Sequence, residues 1–199
     1  MVDEPYNPLD KFHSGESVAK ALLTRPIDTL PPAAFPGAGI YALYYTGGFP
    51  PYARITAKNL SGQWSAPIYV GKAVPPGARK GGYGLGEASG EVLFRRLREH
   101  AESIQQAENL SIDDFRCRYL VVDDIWIPLG ESLLISTFSP LWNKILDGFG
   151  NHDPGAGRYN QQMSPWDVIH PGRPWASKLK PNARSRDEIL KNIAEFLKI

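Results

Sequence analysis

The chain has 199 residues, 42% hydrophobic and 22% charged, a balance that suits one ordinary globular domain and excludes an extended disordered polypeptide. Lys and Arg total 22 against 21 Asp and Glu, which excludes a globally basic nucleic-acid binder and leaves any electropositive surface to local clustering. The lone Cys117 excludes an intramolecular disulfide framework, no Cys/His spacing suits structural zinc, and no apolar run is long enough for a membrane span, so a soluble cytoplasmic protein with Cys117 as a core thiol is expected.

Residues 1–14 are polar and are expected to lie over the surface as an arm, while Val18, Ala19, Leu22 and Leu23 at helical spacing predict a short amphipathic helix over 16–24. Pro26, Pro31, Pro32 and Pro36 then prevent regular structure. Gly39-Ile40-Tyr41-Ala42-Leu43-Tyr44-Tyr45 and Ile68-Tyr69-Val70-Gly71-Lys72 are β-branched and aromatic, with Gly and Pro at their flanks, and predict two strands of one sheet. Their tyrosines and Lys72 bring phenols and an ammonium into one neighbourhood, which is either chemistry or the ring packing usual in strands. Between the two strands, Tyr52 to Lys58 is expected to add a further strand or hairpin limb.

The Gly-rich stretch 75–90 carries Arg79, Lys80 and Tyr83 but has neither the G-x-x-x-x-G-K-[ST] nor the G-x-G-x-x-G spacing, so a nucleotide cofactor is not expected. It reads as a basic loop lying along a polyanion or as a solvated loop. Leu93, Leu97, Ala101 and Ile104 make one apolar stripe and predict a helix over 91–106, with Arg96 and His100 four residues apart beside that stripe at the rim of the core. Residues 111–114 predict a turn or helix start, and 117–122 a third strand. Pro128 suits the first turn of a helix to about Phe138, with Leu134, Ile135, Phe138, Leu141 and also Glu131 on one side. A carboxylate there needs a metal, a cation or the helix N-terminus as partner. Residues 148–182 form a long Gly/Pro-rich stretch that its Trp166 and Trp175 mark as ordered, and Ser185 with Glu188 predicts a capping box for a last helix.

In chain order these pieces are Gly39-Ile40-Tyr41, Tyr69-Val70-Gly71, Arg96-Leu97 on a helix, Glu131 on a later helix, and Pro140-x-x-Asn143. The series resembles the GIY-YIG nuclease superfamily, with Val replacing Ile in the second signature. The long gap between the signature strands and the Gly-rich insertion before Arg96 are similar to its type II restriction endonucleases. The resemblance implies an α+β fold, with a three-stranded mixed or antiparallel core sheet flanked by helices and elaborated by long loop insertions. A single nuclease domain over 1–199 is expected, with its core at about 38–145, an arm and helix over 1–37, and a recognition loop and helix over 146–199.

It further implies a homodimeric endonuclease hydrolysing both strands of a short, GC-rich palindromic double-stranded DNA, one active site per subunit. Glu131 is then the metal ligand for Mg²⁺, with Mn²⁺ as a substitute, and the absence of a second acidic ligand favours one metal over two. Arg96 stabilises the transition state with a guanidinium shaped for phosphate oxygens, Arg95 and Arg98 being the solvent-facing alternatives. Tyr41, facing water and metal, or His100 is the general base, the two remaining open; Tyr69 positions phosphate or water, Lys72 adds charge, and Asn143 either orients Tyr41 or the fold around it or is a helix-end residue. DNA contacts are expected from Arg79, Lys80 and Arg95 and from a downstream set of Arg158, Asn160, Gln161, Gln162, Arg173 and Lys178. Two other outcomes share these residues: a structure-specific nickase of repair or recombination, and a non-catalytic nucleic-acid-binding module.

Overall fold

The structure, a computed structural model, describes residues 10–75 and 90–198. Strand β2 (Gly39–Tyr45) lies inside a four-stranded antiparallel sheet of order β1 (Asp28–Thr29), β4 (Phe115–Val121), β2, β3 (Pro67–Ala73). The three long strands are those expected from composition; the two-residue β1 joins β4 through Asp28 and Thr29, a pairing too short to leave a periodic signal.

Every residue of β2 is buried, because both faces of the sheet are covered. Alternation along the strand sends Tyr41, Leu43 and Tyr45 into one apolar layer and Ile40, Ala42 and Tyr44 into the other. The first layer packs under helix α3 (Val92–Gln106), the second under helices α1 (Lys11–Leu23) and α4 (Ile127–Phe138). Truncating one of these fully buried side chains, such as Leu43, would cost about 2–5 kcal/mol.

Three expectations need correction. Tyr52 to Lys58 is not extended: Pro50–Tyr52 is a 3₁₀ turn that runs into helix α2 (Ala53–Leu60). Good helix formers at Ala53, Arg54, Ala57 and Lys58, and a pair of prolines suited to a helix entry, outweigh the weak β signal. Ile55 and Asn59, four apart, face inward, and Asn59 satisfies the carbonyls of Tyr45 and Ala66 from its amide. The first helix begins at Lys11, earlier than expected. Leu141 does not extend the face of α4: Ser139 turns left-handed at φ 44°, and Pro140 starts the short helix α5 (Leu141–Lys144). The chain thereby passes from the α4 side of the sheet to the α3 side, where Leu141 and Trp142 are buried.

The stretch 148–182 is packed, with helix α6 (Pro165–Ile169) and two 3₁₀ turns inside it. His170 fixes it to the core. Asn109 Oδ1 accepts from His170 Nδ1 at 2.8 Å, His170 Nε2 accepts from the Tyr52 hydroxyl at 2.6 Å, and the Tyr52 oxygen accepts from Trp142 Nε1 at 3.0 Å. The expected capping box of Ser185 and Glu188 opens the last helix, α7 (Arg186–Leu197). No described helix is long and apolar enough to cross a membrane, and Cys117 is buried with its thiol pushed up to about 12, chiefly by burial.

Candidate active site

The site is built around edge strand β3. In the β2–β3 register Tyr41 faces Gly71 and Leu43 faces Tyr69, so both signature tyrosines lie on the α3 side. Gly71 is required by close approach: a Cβ there would stand 2.4 Å from the Tyr41 hydroxyl oxygen. Tyr41 and Tyr69 rings are 6.2 Å apart, and Arg96 and His100 reach them from one face of α3.

The Tyr41 hydroxyl meets His100 Nε2 at 2.6 Å, and the imidazole stacks on Phe149 at 4.5 Å and 16°. Both residues are sealed, Tyr41 at 0% and His100 at 1% exposure. The expectation that Tyr41 faces water is therefore corrected: the Tyr69 ring, the β3 backbone and His100 surround its phenol, while Tyr69 and Arg96 are only partly buried. His100 likewise lies within the core, not at its rim, because the extension beyond Asn143 covers α3 with Phe149.

Charge states follow from this packing. Burial first, and then Tyr69, push the Tyr41 phenol well up, with Arg96 opposing and Glu131 adding to the rise. Tyr69 is raised for the same leading reason, with Arg96 again opposing. Burial, then the positive charge of Arg96, holds His100 well below its ordinary value of 6.5. At neutral pH the pair is thus a neutral phenol against a neutral imidazole, and both shifts oppose a resting phenolate–imidazolium pair.

Lys72 and Glu131 meet on the other side of β3, Nζ to Oε2 at 2.6 Å. The carboxylate is the more buried partner, its side chain 17% exposed, which supplies the cation expected for a Glu on that helix face. Among the described residues no group of three or more His, Cys, Asp or Glu side chains is placed to hold a metal. A single hard carboxylate fits Mg²⁺, which binds through one or two carboxylates with substrate phosphate and keeps several waters. Asn143 is a structural clasp: its Oδ1 accepts from Val70 N and its Nδ2 donates to Val70 O, both at 2.8 Å. It closes the outer hydrogen-bonding edge of β3 at Val70, between Tyr69 and Lys72.

Arg95, Arg158, Asn160, Gln161, Gln162 and Lys178 are exposed, and Lys178 lies over the Tyr159 ring. Arg79 and Lys80 fall outside the described residues. Arg173 is not on the surface and its expected DNA contact is corrected: at 2% exposure it lies against Trp166 and Trp175, its Nε donating to Asp167 Oδ1 at 2.6 Å and its terminal nitrogens to the carbonyls of Gly148, Phe149 and Asn151. All its guanidinium nitrogens are engaged within the fold.

Sequence reasoning missed the partners of Arg96. Its Nη2 donates to the Gly150 carbonyl at 3.1 Å, and its Nη1 to Glu99 at 3.1 Å and to His152 Nε2 at 2.5 Å. Gly150 and His152 are more than fifty residues from Arg96, and no local periodicity signals such a contact.

The family model described as the Eco29kI GIY-YIG domain matches residues 33–197, which include β2, β3, β4 and every side chain of this site. No curated protein matches the chain closely enough to count as a relative. Since the match covers most of the chain and the antiparallel sheet places both signatures side by side, the chain belongs to the Eco29kI GIY-YIG domain family of type II restriction endonucleases, a family of nucleases.

Proposed function

We propose that the chain is a Mg²⁺-dependent, site-specific endonuclease that hydrolyses both strands of a short, GC-rich palindromic DNA as a homodimer with one active site per subunit. The observation that carries this reading is the contact of the Tyr41 hydroxyl with His100 Nε2, placed behind the Tyr69 and Arg96 side chains. Phosphodiester hydrolysis needs a proton taken from water, stabilisation of the charge that grows on phosphorus, and help for the leaving oxygen. Tyr41 is enclosed in the free protein, so on this reading DNA binding opens its Tyr69 side to the attacking water; the Tyr41 oxygen then takes a proton from that water as His100 Nε2 takes the Tyr41 proton, one concerted step that avoids a free phenolate. Arg96 binds a non-bridging phosphate oxygen, and Tyr69 orients the phosphate beside it. Glu131 would hold the metal, which when bound supplies charge neutralisation near the leaving oxygen. Lys72, paired with Glu131 in the structure, would give up that contact if Glu131 held the ion and would add positive charge beside the phosphate. Mn²⁺ substitutes for Mg²⁺ in the same oxygen environment.

The exposed Arg95, Arg158, Asn160, Gln161, Gln162 and Lys178, with Arg79 and Lys80, supply phosphate and base contacts, donors to guanine edges being the reason to expect G·C pairs in the target. Two-fold symmetry of a palindrome matches two copies of one site. The test is digestion of plasmid DNA with Mg²⁺. Discrete fragments with a unique end sequence support the reading; a smear or intact plasmid refutes it, and cutting confined to forked or damaged DNA selects the nickase instead.

A further inference from the structure

We propose that residues 148–152 are a positioning element of the active site, in which Gly150 and His152 fix the guanidinium of Arg96 and Phe149 fixes the ring of His100. The inference rests on the nuclease reading above and assigns the segment a task within it. An arginine on an exposed helix face samples many rotamers, and a catalytic group is effective only when held near its productive geometry. Arg96 is held at both ends of its fork: the Gly150 carbonyl takes Nη2 at 3.1 Å, while Glu99 and His152 take Nη1 at 3.1 and 2.5 Å. Arginine has no lone pair to offer, so His152 Nε2 is the acceptor and the imidazole is bound in its unprotonated form on that nitrogen.

Gly150 is needed for its missing side chain as well as its carbonyl. A Cβ there would stand 2.9 Å from Arg96 Nη2 and 3.2 Å from the Tyr69 hydroxyl, so any larger residue presses on the two side chains assigned to the phosphate. One position further back, Phe149 lies against His100. The segment is rigid because Arg173, buried and paired with Asp167, binds three of its carbonyls, those of Gly148, Phe149 and Asn151. A buried ion pair holding a backbone segment against Arg96 and His100 is a way of fixing one geometry, and no contact to DNA is required of Arg173.

Gly150→Ala and His152→Ala test this, each made alone and with Arg96→Lys. Gly150 has no left-handed φ and the clash is with side-chain ends, so the alanine variant keeps the fold. Single-turnover cleavage of DNA carrying the mapped site is measured with Mg²⁺, and binding of the same DNA with Ca²⁺ in place of Mg²⁺. Gly150→Ala should bind as the parent does and cleave about 10²-fold more slowly, the loss expected for a misplacement near 1 Å. Added to Arg96→Lys it should cost distinctly less than it does alone, the remainder coming from its pressure on the Tyr69 hydroxyl. Cleavage at the parent rate, or an undiminished loss in the Arg96→Lys background, would overturn the proposal. Arginine side-chain NMR reads the same point without cleavage. Arg96, assigned by its disappearance in Arg96→Lys, should show separate Nη resonances that merge in the Gly150→Ala, His152→Ala double variant. Merged resonances in the parent would also overturn it, whereas a parent that holds Arg96 yet never cleaves DNA would sink only the nuclease reading.

Discussion

The Tyr41 hydroxyl oxygen and His100 Nε2 lie 2.6 Å apart, 59 residues distant in sequence and both closed to solvent. His100→Ala should remove the acceptor that this phenol needs. Cleavage is expected to fall by about 10²–10⁴-fold, the range of a positioned proton acceptor, with DNA binding kept. Single-turnover rates against a binding isotherm measured with Ca²⁺ check this, and equal rates for variant and parent would remove His100 from the mechanism.

Gly71→Ala should act on the same phenol from the opposite side. Its Cβ would meet the Tyr41 oxygen at 2.4 Å and the next ring carbon at 2.6 Å, so the ring or β3 has to move. Overpacking of this kind costs about 1–3 kcal/mol. Urea melts should report that loss, and the cleavage rate should drop further than stability alone explains.

Lys72→Met should separate the two halves of the ion pair. With Lys72 Nζ no longer 2.6 Å from Glu131 Oε2, the carboxylate is free for a divalent cation, and half-saturation by Mg²⁺ should shift to lower concentration. Glu131→Gln should abolish Mg²⁺-dependent cleavage, by on the order of 10³-fold or more if the metal supplies several kcal/mol. Titration of the cation in a cleavage assay decides both, and an unchanged Mg²⁺ dependence in Lys72→Met would show that the pair does not compete with metal.

Stability should fall in acid for a reason written in the core. Burial first, then nearby Arg186 and Arg173, holds His170 at about 3, and His100 is also held well below 6.5. Both are depressed, so below about pH 6.5 the unfolded chain binds protons that the folded chain refuses. The His170 contribution is full above that value and is lost as pH falls toward about 3, with a slope of about 1.4 kcal/mol per pH unit, and His100 acts in the same direction. Urea denaturation across that window should show the slope, and His170→Gln should make it shallower; an unchanged slope would contradict the assignment of His170.

The sheet and the order of the site residues were legible because their signals are local. β-branched and aromatic runs flanked by Gly and Pro mark β2 and β3, the stripe from Leu93 to Ile104 marks α3, and Ser185 with Glu188 marks the start of α7. Helix α2 was missed since eight residues with one buried face give little periodicity against a background of Tyr and Ile. Arg173 was misread because an arginine in a polar loop looks the same in sequence whether it faces solvent or is enclosed by Trp166, Trp175 and Asp167. The roles of Gly150 and His152 depend on how the extension folds back over α3, a tertiary fact with no local trace.

The central claim is that Tyr41 takes part in the proton transfer of phosphodiester hydrolysis. Tyr41→Phe removes one oxygen and leaves the ring that fills the core, so it should fold, bind the mapped site with Ca²⁺ and fail to cut it with Mg²⁺. Cleavage by Tyr41→Phe at the parent rate, on DNA that the parent cuts at a unique site, would contradict the account.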